Sequence, residues 1–278
     1  MKHNINRRKF LELFTCGCCG IIMPSCSSVP ITDRKQLTIY PESRINAQAA
    51  AAYENFRSKN KLITSGKELT TIIDIGRRIE SAVSAFFLKE NKTDPTTNFG
   101  WDYILVDNDK VKNAWCMPGG KIAFYTGMLK ITKNNDALAA VMGHEVAHAV
   151  AKHSVERMSQ AMTLNIGTQV ADIFLGGAIS KTRNTVGQNT GFDIFKLGIM
   201  NPFGRKQETE ADYLGLIFAS LAGFDIRESV NLWKRMAESN KGKEPPQFLS
   251  THPSSLNRIE KLNSWMNEVM IKYPPIKT

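Results

Sequence analysis

Among all the residues of this chain, His144, Glu145 and His148 carry the most chemistry in their spacing, within Met142-Gly143-His144-Glu145-Val146-Ala147-His148. Side chains four apart on a helix differ by about 40° around its axis, so His144 and His148 leave one face a turn apart and can hold one metal ion together. Glu145 lies about 100° from the first and about 60° from the second, close enough to hold a water on that metal without ligating it. At this chain's own His and Glu frequencies the pattern arises by chance about once in two hundred such sequences. It also falls in a stretch whose apolar residues recur at helical spacing, as the chemistry requires. The motif therefore reads as two metal ligands and a base, and not as surface or core histidines.

A catalytic zinc takes three protein ligands and keeps a fourth position for water. The third ligand is sought among the carboxylates of Gln207-Glu208-Thr209-Glu210-Ala211-Asp212. On one helix Glu208 and Asp212 stack, with Glu210 about 160° from either. Glu208 can then ligate while Asp212 accepts the second ring N–H of a ligating histidine and fixes its tautomer. Glu210 reads as a solvated or structural charge; without the histidines the whole cluster would read as a solvated helix face. His153 sits about 140° around the helix from His148 and is expected to face solvent. His252, in Thr251-His252-Pro253-Ser254, belongs to no helical pair; it could approach the metal from a loop, or it could cap or hydrogen-bond.

These residues need elements to position them. Asn134 or Asn135 can cap a helix beginning near Asp136 and running to about Gln160, which would carry the histidines. Apolar spacing predicts helices over residues 44–60 and 66–90, and others at about 205–222, 226–239 and 254–271. Trp101-Asp-Tyr-Ile-Leu-Val and Lys121-Ile-Ala-Phe-Tyr have strand composition, with the turn signal Pro118-Gly119-Gly120 before the second. The expected fold is α+β and mostly helical, with a small antiparallel sheet beside the histidine helix. Residues 161–192 are expected to continue the helix and then form a mobile loop, and no internal repeat is present.

The N-terminus bears on location. Asn6-Arg7-Arg8-Lys9-Phe10-Leu11 precedes a short apolar stretch ending at Met23, too short to span a bilayer and interrupted by Glu12. It reads as a signal peptide over residues 1–25, and the Arg pair resembles a twin-arginine export signal. Ser25-Cys26 resembles a lipoprotein box, with Cys26 the lipidated first residue of the mature chain. Ser27 after it resembles the outer-membrane sorting rule. Residues 26–43, rich in Ser, Pro, Thr and charge, read as a linker. The expected location is thus a bacterial cell envelope, on the periplasmic side, lipid-anchored and in the outer membrane rather than the inner.

The formal charge is +10 with a pI near 9.4; loss of Lys2, Arg7, Arg8, Lys9 and Glu12 with the signal lowers it by three, to +7. The basic residues are scattered without a stripe or nucleic-acid motif, which sets aside a nucleic-acid partner. After removal of residues 1–25 only Cys26 and Cys116 of the five cysteines remain, so no disulfide framework stabilises the domain.

With Glu208-x-x-x-Asp212 following the histidine motif, the sequence resembles the gluzincin peptidases. It is most similar to the M48 family, which includes mitochondrial inner-membrane members and bacterial periplasmic lipoproteins. The likeness covers roughly residues 45–270. It rests on Asn113-Ala114-Trp115 to Pro118-Gly119-Gly120, Tyr125-Thr126-Gly127, the His144 to His148 motif, Glu208 to Gly215, and Thr251-His252-Pro253-Ser254 with Arg258.

The resemblance implies a zinc metalloendopeptidase domain over 44–273, with one Zn2+ per chain on His144, His148 and Glu208 and with Glu145 as the catalytic residue. It implies protein substrates, expected to be unfolded or damaged envelope proteins, bound along an edge strand at residues 113–117 that includes Asn113 and Ala114. His252, Arg258 and Tyr213 are the candidates for contacting the transition-state oxyanion. Cys116 is read as a small hydrophobe and not a nucleophile. A zinc-stabilised chaperone or scaffold is the rival reading, and the intact Glu145 argues against it.

Overall fold

The protein is described by a computed structural model over residues 26–29, 32–39, 41–174, 201–239, 246–252 and 257–276. Its elements, in chain order, begin with β1 (Cys26–Ser28), β2 (Lys35–Leu37), α1 (Glu42–Lys59), β3 (Leu62–Ile63) and α2 (Lys67–Lys89). The sheet follows with β4 (Asp102–Val106), β5 (Ala114–Met117) and β6 (Lys121–Tyr125). The remaining helices are α3 (Thr126–Thr132), α4 (Asn135–Val150), α5 (His153–Phe174), α6 (Arg205–Leu221), α7 (Glu228–Ser239), α8 (Gln247–Thr251) and α9 (Arg258–Lys272).

The four-stranded sheet runs β3-β4-β6-β5, mixed and small beside a mostly helical body. Its β5–β6 hairpin turns at Gly119 and Gly120, with φ of 81° and 80°, a backbone region that favours glycine. Two of the three pairings are antiparallel as expected, but β4 and β6 run parallel, pairing Asp102 with Lys121 through Val106 with Tyr125. Helix α2 turns Ile72, Ile75, Ile79, Val83 and Phe86 inward at three- and four-residue spacing and leaves Arg77, Ser81 and Ser84 exposed.

Helix α4 is the axis of the domain. Asn134 caps it, its side-chain oxygen accepting from the N–H of Ala137 at 2.8 Å. Every residue from Ala137 to Val150 except Ala140 is buried, because α2, α6, α7 and β5 pack around it. The approach to α6 is backbone to backbone: a Cβ on Gly143 would sit 2.7 Å from the carbonyl oxygen of Gly215, and one on Gly215 would sit 2.8 Å from the amide nitrogen of His144. Glycine at both positions is what lets the two helices meet at the level of His144.

Three expectations are corrected. The long helix predicted from Asp136 to Gln160 is two helices, broken at Ala151-Lys152, where Lys152 takes the left-handed conformation with φ of 57°. The stretch read as a linker over 26–43 contains a hairpin and the start of α1. Backbone pairing of Cys26 with Leu37 and Ser28 with Lys35 builds the hairpin, and Val29 at its bend is fully buried in the main core. The predicted helix at 254–271 begins at Arg258, behind the separate short helix α8. Residues 1–25, the presumed signal, and 175–200, most of the expected loop, lie outside the described residues. No described helix is long and apolar enough to cross a membrane.

Candidate active site

Helix α4 delivers His144 and His148, α6 delivers Glu208, and the end of α8 delivers His252. One ligating atom from each lies within 4.8 Å of all the others, and all four residues are buried. Nε2 of His144 is 3.1 Å from Nε2 of His148 and 3.2 Å from Nδ1 of His252. Oε1 of Glu208 is 3.3 Å from Nε2 of His148 and 2.9 Å from Nδ1 of His252. Four ligands placed tetrahedrally at the bond lengths zinc prefers, about 2.0–2.1 Å, would be about 3.3 Å apart. The spacings given, 2.9–3.3 Å, lie at or just below that distance, so three imidazoles and a carboxylate could hold one such ion.

The protonation states suit the task. Burial holds the imidazoles of His144 and His148 well below their ordinary pKa, keeping both neutral, as metal ligands must be. Burial alone would raise Glu208, but His252, His148 and His144 outweigh it and hold the carboxylate well below its usual range. His252 moves the other way: burial opposes its charge, yet Glu145 and Glu208 raise it.

Glu145 lies one residue beyond His144 and turns toward the sheet. Burial pushes it up to about 7, partly offset by His252, whose Nε2 is 3.3 Å from Oε1. That Oε1 is buried and makes no hydrogen bond. Glu145 lines a narrow cleft with Asn113, Ala114, Cys116, Phe203 and His252. β5 is the last strand of the sheet, so the cleft runs along an edge. Asn113 is turned inward, its Oδ1 accepting from the N–H of Ala114 at 3.0 Å. Cys116 is buried, and burial raises its thiol well above the ordinary value, which fits a small hydrophobe.

Asp212 lies against His144. Its Oδ1 is 3.0 Å from Nδ1 of His144, leaving Nε2 of that ring toward the cluster. Arg258 and Tyr213 are corrected. Arg258 is buried behind the cluster, donating to Oε2 of Glu208 at 3.0 Å and to Oδ1 of Asp212 at 2.5 Å, with its guanidinium 3.4 Å over the Trp233 ring. Its Nη2 also lies 3.4 Å from Nδ1 of His144, and Arg258 does not line the cleft beside Glu145. Tyr213 points away, its hydroxyl bonding Glu268 at 3.1 Å and its ring against Trp265.

His153 is corrected as well. Expected at the solvent, it is fully buried, its Nδ1 2.8 Å from Nδ1 of His148 and its Nε2 2.9 Å from Oε2 of Glu210. The helix break at Lys152 resets the helical phase on which the solvent-facing expectation rested. Glu210 is the buried, structural charge of the two roles open to it. Sequence reasoning also missed Phe203, whose ring lies 3.8 Å from that of His148, and Phe248, 4.3 Å from that of His252. Neither residue has a motif that would have marked it.

Comparison with known proteins adds four findings. The profile described as peptidase family M48 matches residues 74–266. The chain is 39% identical over 176 residues to the mitochondrial metalloendopeptidase OMA1 of Schizosaccharomyces pombe, covering 62% of this chain and 48% of that protein. It is 29% identical over 268 residues to the Saccharomyces cerevisiae protein of the same name, covering 93% of this chain and 74% of the relative. It is 27% identical over 172 residues to the beta-barrel assembly-enhancing protease of Yersinia pestis, covering 60% of this chain and 35% of that protein. The chain thus spans about half the length of the fission-yeast relative. The names overturn the bacterial outer-membrane location expected from the N-terminus, since the relatives of higher identity are mitochondrial proteins.

Proposed function

The chain belongs to peptidase family M48, whose profile matches residues 74–266, and from that premise we propose that it is a zinc endopeptidase using His144, His148 and Glu208 as ligands and Glu145 as base. The observation that carries this reading is the buried Oε1 of Glu145, which makes no hydrogen bond, beside a cluster of three imidazoles and a carboxylate. Zinc, when bound, acidifies a water and polarises the scissile carbonyl. Glu145 takes the proton of that water and returns it to the leaving amine, and a carboxyl near 7 suits both directions of transfer at neutral pH. Asp212 keeps His144 in the tautomer that presents Nε2. Nδ1 of His252 lies 3.2 Å from Nε2 of His144, so the His252 ring would have to shift for a water to enter beside a bound metal, and it could then serve as an oxyanion donor.

The substrate is an extended segment of protein laid along the edge of β5, where main-chain pairing from Asn113 to Cys116 selects for unfolded chain over fixed sequence. Disposal of unfolded or damaged protein is the role that this mode of recognition supports.

The test is Glu145→Gln beside His144→Ala, with zinc content, thermal melting and cleavage of casein measured for each. Glu145→Gln is expected to keep zinc and fold while losing about 10²- to 10⁴-fold in turnover; His144→Ala is expected to lose metal and activity together. Near-normal cleavage by Glu145→Gln would remove the base from the mechanism. A wild type that binds zinc and cleaves no unfolded protein would leave a scaffold.

A further inference from the structure

Behind His148 a line of hydrogen bonds runs away from the cluster and ends on the N-terminal hairpin. His148 faces the cluster with Nε2, and its Nδ1 meets Nδ1 of His153. Nε2 of His153 meets Oε2 of Glu210. An ionised carboxylate only accepts, so His153 donates from Nε2 and keeps Nδ1 as an acceptor. His148 must then donate from Nδ1, which leaves its Nε2 lone pair for a metal. One fixed charge at Glu210 thereby sets the tautomers of two rings.

That charge is held by residues of the segment from β1 to β2. The Thr32 hydroxyl donates to Oε1 of Glu210, and Nε of Arg34 donates to Oε2 at 2.8 Å. The same guanidinium forms a two-pronged pair with Glu156 at 2.8 and 2.9 Å, and Glu156 also accepts from Gln207 at 2.7 Å. His153 is fully buried, the Glu210 side chain is 4% exposed, and Arg34 bridges two carboxylates from α5 and α6. Val29 in the core and the backbone bond from its N–H to the Arg34 carbonyl at 2.8 Å fix the bend from which Arg34 projects.

We propose that Arg34 is a positioning residue for the metal ligand His148, acting through Glu210 and His153, so that docking of the 26–37 hairpin and retention of the metal are one event. The proposal rests on the zinc reading above. It goes beyond that reading by assigning a metal-retaining role to a segment 114 positions before the ligand it serves.

Zinc release into excess chelator is timed for wild type, Arg34→Met, Glu210→Gln and the double variant, and the visible spectrum of each Co2+-loaded protein is recorded. Arg34→Met is expected to release zinc about tenfold faster or more, the usual scale for lost partners of metal ligands, and to shift the cobalt bands. Arg34→Lys should recover part of the retention. In the double variant Arg34→Met should add nothing to Glu210→Gln, because its route is already cut. Release unchanged by Arg34→Met, or effects that multiply in the double variant, would overturn the proposal. If Arg34→Met does not fold, Thr32→Val decides: faster release supports the relay and unchanged release overturns it. A wild type that holds no zinc would instead sink the metal reading itself.

Discussion

His144 and His148 project from neighbouring turns of α4 toward one point, and what stands behind each ring differs. Behind His144 the support is short and sealed: Asp212 touches the ring directly, and Arg258, 3% exposed and stacked on Trp233, holds both Asp212 and Glu208. Behind His148 it is long and reaches the surface, through a second imidazole and Glu210 to an Arg34 side chain that is 22% exposed. The first support comes from helices of the domain interior and the second ends on a hairpin at the far end of the sequence. Two rings that meet in one cluster can thus be secured with unequal permanence.

The largest expected difference is in stability. Arg258→Met leaves Glu208 and Asp212 buried without their shared cation and should cost about 3–5 kcal/mol, the range for breaking a buried pair. Arg34→Met, at a part-exposed site, should cost about 1 kcal/mol. Urea unfolding of chelator-treated protein measures both, and equal losses would erase the distinction between the two supports.

A second difference lies in acid–base behaviour, because the two outer carboxylates are shifted in opposite directions. Burial raises Asp212 to about 6 against the pull of Arg258. Burial would raise Glu210 too, but His153, Thr32 and Arg34 outweigh it and hold it below the ordinary value. A carboxyl raised on folding contributes stability below its unfolded pKa and loses it as pH climbs through the folded one; a lowered carboxyl contributes above its unfolded pKa and loses it on acidification. Stability of chelator-treated wild type should therefore fall by roughly 3 kcal/mol through Asp212 between about pH 4 and 7, a loss that Asp212→Asn abolishes. Glu210→Gln should flatten only the acid limb. Unfolding curves at several pH values that change alike in both variants would contradict this opposition.

The smallest effect is expected one residue from Asp212. Tyr213 faces the other side of α6, and Tyr213→Phe loses only a bond to Glu268 at a part-exposed position. Zinc content and casein cleavage should match wild type. A loss of cleavage would return the tyrosine to the site.

The parts of this architecture that follow local periodicity were legible in the sequence. His144, Glu145 and His148 needed only the turn of a helix, as did the stacking of Glu208 on Asp212. His153 was not legible, because the break before it falls on Lys152, and lysine in a left-handed conformation carries no signal of the kind glycine gives. The hairpin was missed because its order comes from main-chain pairing and from contacts with residues more than a hundred positions away, not from its Ser, Thr and charged composition. The parallel pairing of β4 with β6 is likewise a long-range matter, invisible to a strand-by-strand reading. The edge at residues 113–117 came from family likeness, and the structure supplies its reason by leaving β5 last in the sheet.

The meeting of Gly143 and Gly215 behaves as a mechanical stop. Elsewhere in the core the distance between two helices is negotiated by side chains, which can exchange volume with one another over many substitutions. Here peptide groups abut, so, while Gly143 and Gly215 stay glycine, the gap between α4 and α6 is set by main-chain atoms and not by the side chains around them. Glu208 is less than two turns from Gly215 on one rail, and His144 follows Gly143 on the other. The span across which a carboxylate and two imidazoles must agree is therefore calibrated by the main chain, and the surrounding apolar residues can drift in size while the gauge stays the same.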